Sequence, residues 1–347
     1  MNPIKTAICS FGMSGWVFHA PFISLHPGFT FSAVWERSKN LAEQKYPGVK
    51  TYRTLESMLA DAGIELVVVN TPNYTHFEFA KEALLAGKHV IVEKPFTVTT
   101  QQSQELIDLA ERKHRKLSVY HNRRYDSDYR TVKRIVDQGW LGDIVEAEIH
   151  YDRFKEELSP KIHKETPGPG TGALYDLGSH LIDQALQLFG KPEALFADIV
   201  IMRPISKVDD YFELLFYYPT KRVRLKASYQ VREALPGYAV HGSKGSFIKA
   251  RTDVQETSLQ AGKQPGTDDW GKEPENEKGF LHTEKDGKLI KEHVPSLRGN
   301  YGDYYEAIYQ AIRHDKPVPV SGADGMEVVR IIELALESSK YQKVTRL

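Results

Sequence analysis

Residues 168–190 read GPGTGALYDLGSHLIDQALQLFG and place Asp176, His180 and Asp183 four and three positions apart. On a helix those intervals bring the three side chains to one face. Leu177, Leu181, Ala185 and Leu188 supply a rough apolar stripe on the same segment. Imidazole exchanges protons near neutrality, and a neighbouring carboxylate sets its tautomer and proton affinity. The same residue types form part of a carboxylate–imidazole metal shell, or a helix cap and a solvated polar face. No fourth ligand is indicated and a lysine opposes a cation, so no metal is assigned. Proton transfer is the reading that also uses a second stretch, VIVEKPF. There Val90, Ile91 and Val92 run straight into Glu93 and Lys94 and stop at Pro95. In open α/β sheets the ligand crevice lies outside the carboxyl ends of the strands, which puts Lys94 at a site. Taking a hydride from an alcohol carbon requires a base for the hydroxyl proton. A histidine suffices for that, and no metal is needed.

A nucleotide turn stands near the start of the chain. Ser10-Phe11-Gly12-Met13-Ser14-Gly15 follows an apolar strand and precedes a helix. It has the middle and third glycines of the Gly-x-Gly-x-x-Gly pattern, with serine in place of the first. Gly12 lets the backbone approach a pyrophosphate and Gly15 lets helix and strand pack closely. The phosphates then meet free N–H groups at the helix start. Glu36 ends the second strand, where a carboxylate receives ribose hydroxyls and favours NAD. Arg37 and Lys39 grip a 2′-phosphate and favour NADP, and the choice stays open. Thr71-Pro72-Asn73 closes the third strand and His76 begins the helix after it.

The elements that carry these residues alternate. Strands are expected at Ile4–Cys9, Phe29–Trp35, Glu65–Asn70, in VIVEKPF and in LSVYHN, with amphipathic segments between them. The strands are mostly continuous apolar runs, as parallel strands covered on both faces are. This predicts a doubly wound parallel sheet over 1–121. From residue 122 the rhythm changes. DYRTVKRIVDQG is a helix, and IVEAEIHYDRF is a half-buried strand. FADIVIMR, DYFELLFYY, KRVRLKASYQ, YAVHGS and GSFIKA are further strands separated by turns. Loops and a hairpin are expected over 254–290, then helices at Tyr304–Arg313 and Gly325–Ser339. The second domain, 122–347, reads as α+β.

Composition narrows the field. The 347 residues are 41% apolar and 27% charged with zero formal net charge, which offers no global attraction to nucleic acid or an acidic membrane. Cys9 is the only cysteine, so an intramolecular disulfide and a cysteine-rich zinc site are excluded, and a reducing, cytoplasmic location is expected. The opening MNPIKTAICSFG does not read as a signal peptide, and no apolar window is long enough to span a bilayer.

The stretches SFGMSG, TPNYTH, EKPF and GALYDLGSHLID, in that order and spacing, resemble the glucose–fructose oxidoreductase/inositol dehydrogenase (Gfo/Idh/MocA) family. SGWVFHAP and YHNRRYDSDY are similar to a subgroup that includes scyllo-inositol dehydrogenases. The resemblance implies a Rossmann domain plus a domain with a large open, mainly antiparallel sheet, whose free face often pairs subunits into a homodimer or higher homo-oligomer. It implies NAD or NADP as cofactor, and cyclitols, sugars or related polyols as substrates. Lys94 matches the lysine that holds and polarises the substrate hydroxyl, His180 the base, and Asp176 its partner acid. Asp183 matches a trailing acid that binds substrate or braces the helix. Asn122 and Arg123 match positions near nicotinamide and substrate. Side chains of the second domain, among them Tyr151, Arg153 and Tyr238, are expected to set specificity. The principal alternative is a non-catalytic NAD(P)-binding redox sensor. Reductases of the biliverdin type and NAD-dependent glycoside cleavage share the scaffold.

Overall fold

Short apolar runs in the first third pair into one parallel sheet in the computed structural model, which describes residues 2–347. Its strands are β1 (Ile4–Ile8), β2 (Phe29–Trp35), β3 (Lys50–Tyr52), β4 (Leu66–Val69), β5 (His89–Glu93) and β6 (Leu117–Tyr120). They lie in the order β3-β2-β1-β4-β5-β6, and every neighbouring pair is parallel. β4 and β6 are buried along their whole length, as helices on both faces require. The order reverses between β1 and β4, the switch point where such sheets bind dinucleotides. β3, three residues long, is too short to stand out in the sequence. Past Pro95, Thr99 and Gln102 cap the Thr100–Arg112 helix reciprocally, which fixes where the chain re-enters helix after Lys94.

The second sheet has nine strands: β7 (Ile144–His150), β8 (Ala194–Val200), β9 (Tyr211–Tyr217), β10 (Arg222–Ser228), β11 (Tyr238–Gly242), β12 (Gly245–Lys249), β13 (Gly279–Lys285), β14 (Lys288–Val294) and β15 (Thr345–Arg346). Their order is β14-β13-β12-β11-β7-β10-β9-β8-β15. All pairs are antiparallel except β7 with β10. Burial alternates strictly along β9, the period of a sheet with one packed face. Phe212, Leu214, Phe216, Val223, Leu225 and Ile149 form the core of that face with Leu181, Ile182 and Ala185 of the Ser179–Phe189 helix.

The division of the chain is discontinuous, which the contiguous split 1–121 and 122–347 does not anticipate. One unit runs through Asn122 and regains Gln255–Trp270 and Asn300–Glu327; the other comprises Arg123–Val254, Gly271–Gly299 and Val328–Leu347. Val254–Gln260, expected as loop, is a helix. It has no clear apolar stripe; within the first unit its buried Gln255 accepts the Tyr301 backbone N–H at 2.8 Å. Tyr304 of the Gly302–Arg313 helix bonds Ser118 of β6 at 2.9 Å in that same unit. Among the described residues no helix is long and apolar enough to cross a membrane.

Candidate active site

In the first unit the turn after β1 is built for close approach. A Cβ on Gly15 would overlap the Ser10 carbonyl and crowd the Asn70 amide, so only glycine lets the helix start there. Ser10 does not spoil the turn. Its backbone is not left-handed, so no glycine is demanded, and its hydroxyl accepts the Gly12 N–H at 3.2 Å. Helix begins directly after the turn and passes through a π-turn at Gly15–His19 before Ala20–Leu25. Pro21, which has no N–H, stands just past it, and a π-turn adapts the hydrogen-bond ladder to such a gap. Phe11 is buried and stacks on Phe31. Asn70 donates to the Ser10 carbonyl at 2.8 Å, while its buried Oδ1 has no hydrogen-bond partner among the described residues. Glycine cradle, helix start, switch point and an open acceptor fit a dinucleotide.

Glu36 is held by the backbone of the next helix. Its carboxylate accepts the backbone N–H groups of Leu41 at 3.2 Å and Ala42 at 3.0 Å and is 8% exposed. It caps the Leu41–Lys45 helix. Arg37 and Lys39 beside it are exposed.

Glu93 turns back towards the phosphate turn. Ser14 donates to Glu93 Oε1 at 2.6 Å, His19 Nε2 lies 3.0 Å from the same oxygen, and the Lys94 N–H donates to Oε2 at 3.1 Å. Burial pushes the Glu93 carboxyl up, but His19 and Ser14 outweigh it and hold the pKa down at about 2. Tyr305 OH lies 2.6 Å from His19 Nδ1. The glutamate before Lys94 is thus a fixed anion that ties the end of β5 to the Ser10–Gly15 turn. His19 and Tyr305 escaped the sequence reading. A histidine at one helical turn after the glycines was the only signal, and Tyr305 lies far along the chain. His76 is buried with Nδ1 2.9 Å from the Pro95 carbonyl and Nε2 2.9 Å from the Thr71 carbonyl, so it laces Thr71-Pro72-Asn73 to the loop after Lys94. Burial holds its proton affinity below the ordinary histidine value. Asn122 ends the first segment of this unit and is buried.

In the second unit Asp176 lies in a π-turn, Leu174–Gly178, that runs into the Ser179–Phe189 helix. The lead into it is set by Gly172, at φ +98°, where a Cβ would overlap the Asp209 carboxylate. Asp209 accepts the Leu174 N–H at 2.8 Å, and burial pushes its carboxyl up to about 6. Asp176 lies within the π-turn while His180 and Asp183 share the α-helix that follows, and each acid has a cation beside it. Asp176 receives Lys164 at 2.9 Å. Asp183 is gripped by Arg124 through Nε at 2.9 Å and Nη2 at 2.5 Å, and so braces the helix. His180 is 5% exposed, and its ring stands edge-on to Tyr151 at 6.4 Å. The guanidinium groups of Arg251, Arg153 and Arg123 lie 4.5, 5.0 and 6.0 Å from the Tyr151 ring. Arg123 is buried and ion-paired with Asp253 and with Asp126 at 3.3 Å. Tyr238, expected to touch substrate, is core: fully buried, it donates to Gln184 Oε1 at 2.9 Å. Among the described residues no cluster has the make-up of a metal site.

Fold and family matches together define an NAD(P)-dependent oxidoreductase, and the chain belongs to the Gfo/Idh/MocA family. Residues 4–121 match its "Oxidoreductase family, NAD-binding Rossmann fold" and 133–346 its "Oxidoreductase family, C-terminal alpha/beta domain". The chain is 38% identical over 347 residues to the scyllo-inositol 2-dehydrogenase (NADP(+)) IolW of Bacillus subtilis, covering 100% of this chain and 97% of that protein. It is 38% identical to the uncharacterized oxidoreductase YdgJ of Escherichia coli, covering 98% and 97%. A crystal structure from Bacteroides fragilis is 46% identical, with a TM-score of 0.92 and 100% of both chains covered.

Proposed function

We propose that the protein is an NADP-dependent dehydrogenase that interconverts a secondary ring alcohol of a cyclitol or sugar and the corresponding ketone. The observation that carries this reading is His180, a buried imidazole beside Tyr151 on the helix that Asp176 opens. His180 takes the hydroxyl proton in oxidation and returns it in reduction. Lys94 holds the reacting oxygen and stabilises the negative charge that develops on it. Asp176, with 26% of its side chain exposed, orients the substrate. Bound NADP supplies the two-electron acceptor for the hydride. Ser10–Gly15 would hold its pyrophosphate, and Arg37 with Lys39 its 2′-phosphate. The capping role of Glu36 supports NADP over NAD, because the one carboxylate placed to repel a 2′-phosphate is already bonded to two amides. The NADP named for the Bacillus subtilis relative supports it too.

The test is NADPH absorbance with the purified protein, NADP, and a panel of inositols and aldoses. His180→Ala should lower kcat by about 10²–10⁴-fold while NADP binding, followed by fluorescence, persists. Unchanged turnover in that variant would overturn the assignment.

We also propose a homo-oligomer assembled through the helix-free face of the nine-stranded sheet. Tyr211, Glu213, Leu215 and Tyr217 project there from β9 and are only half-buried.

A further inference from the structure

Tyr151, Arg153 and Lys155 follow β7 at alternate positions. Their amides donate to the carbonyls of Lys226 at 2.9 Å, Ser228 at 2.8 Å and Tyr229 at 2.9 Å. The segment therefore runs extended beside β10 through Arg153, and the register shifts before Lys155, whose acceptor Tyr229 directly follows Ser228. Tyr151 is buried and follows Ala147 and Ile149 at alternate positions, while Arg153 and Lys155 are partly buried. The Tyr151 ring joins this row to His180. The Arg153 guanidinium lies 5.0 Å from the Tyr151 ring, and the Lys155 ammonium 5.0 Å from the Tyr229 ring.

Four cations gather here, and the carboxylates go to two of them. Asp176 bonds Lys164 at 2.9 Å, while Asp210 at 2.8 Å and Glu165 at 3.8 Å both take Arg203. Arg153 and Lys155 are partly buried, yet among the described residues neither is in an ion pair. Stacking on tyrosine orients a cation without neutralising it, and a charge withdrawn from water without a counter-ion is costly. The imbalance is felt within the cluster. Burial, then Arg153, hold the Lys155 amine below the usual lysine range despite Asp176 nearby. A planar guanidinium beside a mobile ammonium suits a carboxylate or a phosphate.

We propose that the substrate of the His180 site is an anionic polyol, a sugar acid or a sugar phosphate, whose charged group is held by Arg153 and Lys155. This rests on the dehydrogenase reading above and adds the charge of the substrate to it. Arg153 and Lys155 are then binding and specificity residues, with no part in the proton transfer.

The experiment compares matched compounds with the full-length protein and NADP: glucose, glucuronate and glucose 6-phosphate, and myo-inositol with its 1-phosphate. At least one charged member should exceed its neutral parent in kcat/KM by about 10- to 100-fold, the worth of one or two charge-assisted hydrogen bonds. Added salt should shrink the preference. Whether the uronate or the phosphates respond identifies the anion. Arg153→Gln and Lys155→Gln should each collapse the preference, chiefly through KM, and circular dichroism checks that both are folded. Neutral parents turned over as well as every charged partner would overturn the proposal and leave the dehydrogenase standing. So would a preference that survives in both folded variants. No turnover of any compound, with NADP still bound, would refute the dehydrogenase reading, and the anionic-substrate proposal would fall with it.

Discussion

At the scale of single residues, two acids at expected positions have different employers from those their positions announce. Glu36 closes β2, where an acid ordinarily receives a ribose, but it caps the next helix with both oxygens. On the proposed NADP reading, discrimination between cofactors falls to Arg37, which is exposed next to it. Arg37→Gln should raise the KM for NADP by about tenfold or more, the loss of one charged hydrogen bond, and change the KM for NAD little. Parallel initial-rate measurements with the two cofactors check this, and equal effects on both would remove Arg37 from the 2′-phosphate site. Glu93 likewise sits where its lysine neighbour draws attention, yet its own bonds to Ser14 and His19 fix the phosphate turn. Residue type and position in the chain were legible; which group each carboxylate bonds was not, because Ser14 and Glu93 meet only when β1 and β5 are laid in one sheet.

At the scale of elements, the two π-turns stand at the two candidate half-sites. One opens the nucleotide helix at Gly15–His19 and the other carries Asp176 at Leu174–Gly178. Single π-turns recur at functional positions because they re-aim side chains that an α-helix would stack. The interval from Asp176 to His180 leads out of the π-turn, and that from His180 to Asp183 lies within regular α-helix. Gly172 is the residue on which the second turn depends. Gly172→Ala must place a side chain at φ +98° and against Asp209, which should destabilise the second unit by about 1–3 kcal/mol. Urea unfolding followed by tryptophan fluorescence measures it, and a loss below a few tenths of that range would show that the turn relaxes freely.

At the scale of the whole molecule, stability should fall on both sides of neutrality. His89 in the first unit accepts the Lys116 N–H on Nδ1 at 2.9 Å, which only the neutral ring can do. Burial, then Arg115, push its pKa down from 6.5 to about 4. Its folded value lies below its unfolded value, so its contribution is present above pH 6.5 and is lost as pH falls towards 4. Protonation of Glu93, held near 2, extends the loss to still lower pH. His150 in the second unit works in the opposite direction. Burial lowers its proton affinity, but Asp152 and Glu148, each 3.2 Å from a ring nitrogen, outweigh that and raise it. That contribution is complete below the ordinary histidine value and disappears as pH rises through the raised one. Thermal melts across pH should show both flanks. His89→Asn should flatten the acid one and His150→Gln the alkaline one, and parallel curves for variant and parent would refute each assignment. For the proposed oligomer, Leu215→Lys should shift the sedimentation coefficient to that of a monomer with circular dichroism unchanged. A monomeric parent protein would overturn the proposal.

Local order was written in the sequence itself. Continuous apolar runs dictate the buried parallel strands β4, β5 and β6, the alternation of IVEAEIHYDRF marks β7, and SFGMSG, EKPF and the Asp176–His180 helix mark the candidate ligand positions, because each of these depends on neighbours a few positions apart. The tertiary structure alone decided what depends on distant partners. It returned Gln255–Trp270 and Asn300–Glu327 to the first unit, buried Tyr238 in the core, set Asp183 on Arg124, and left Arg153 and Lys155 outside any ion pair among the described residues. Such pairings follow from which strands lie side by side, and periodicity along the chain carries no record of which charge a distant segment will bring.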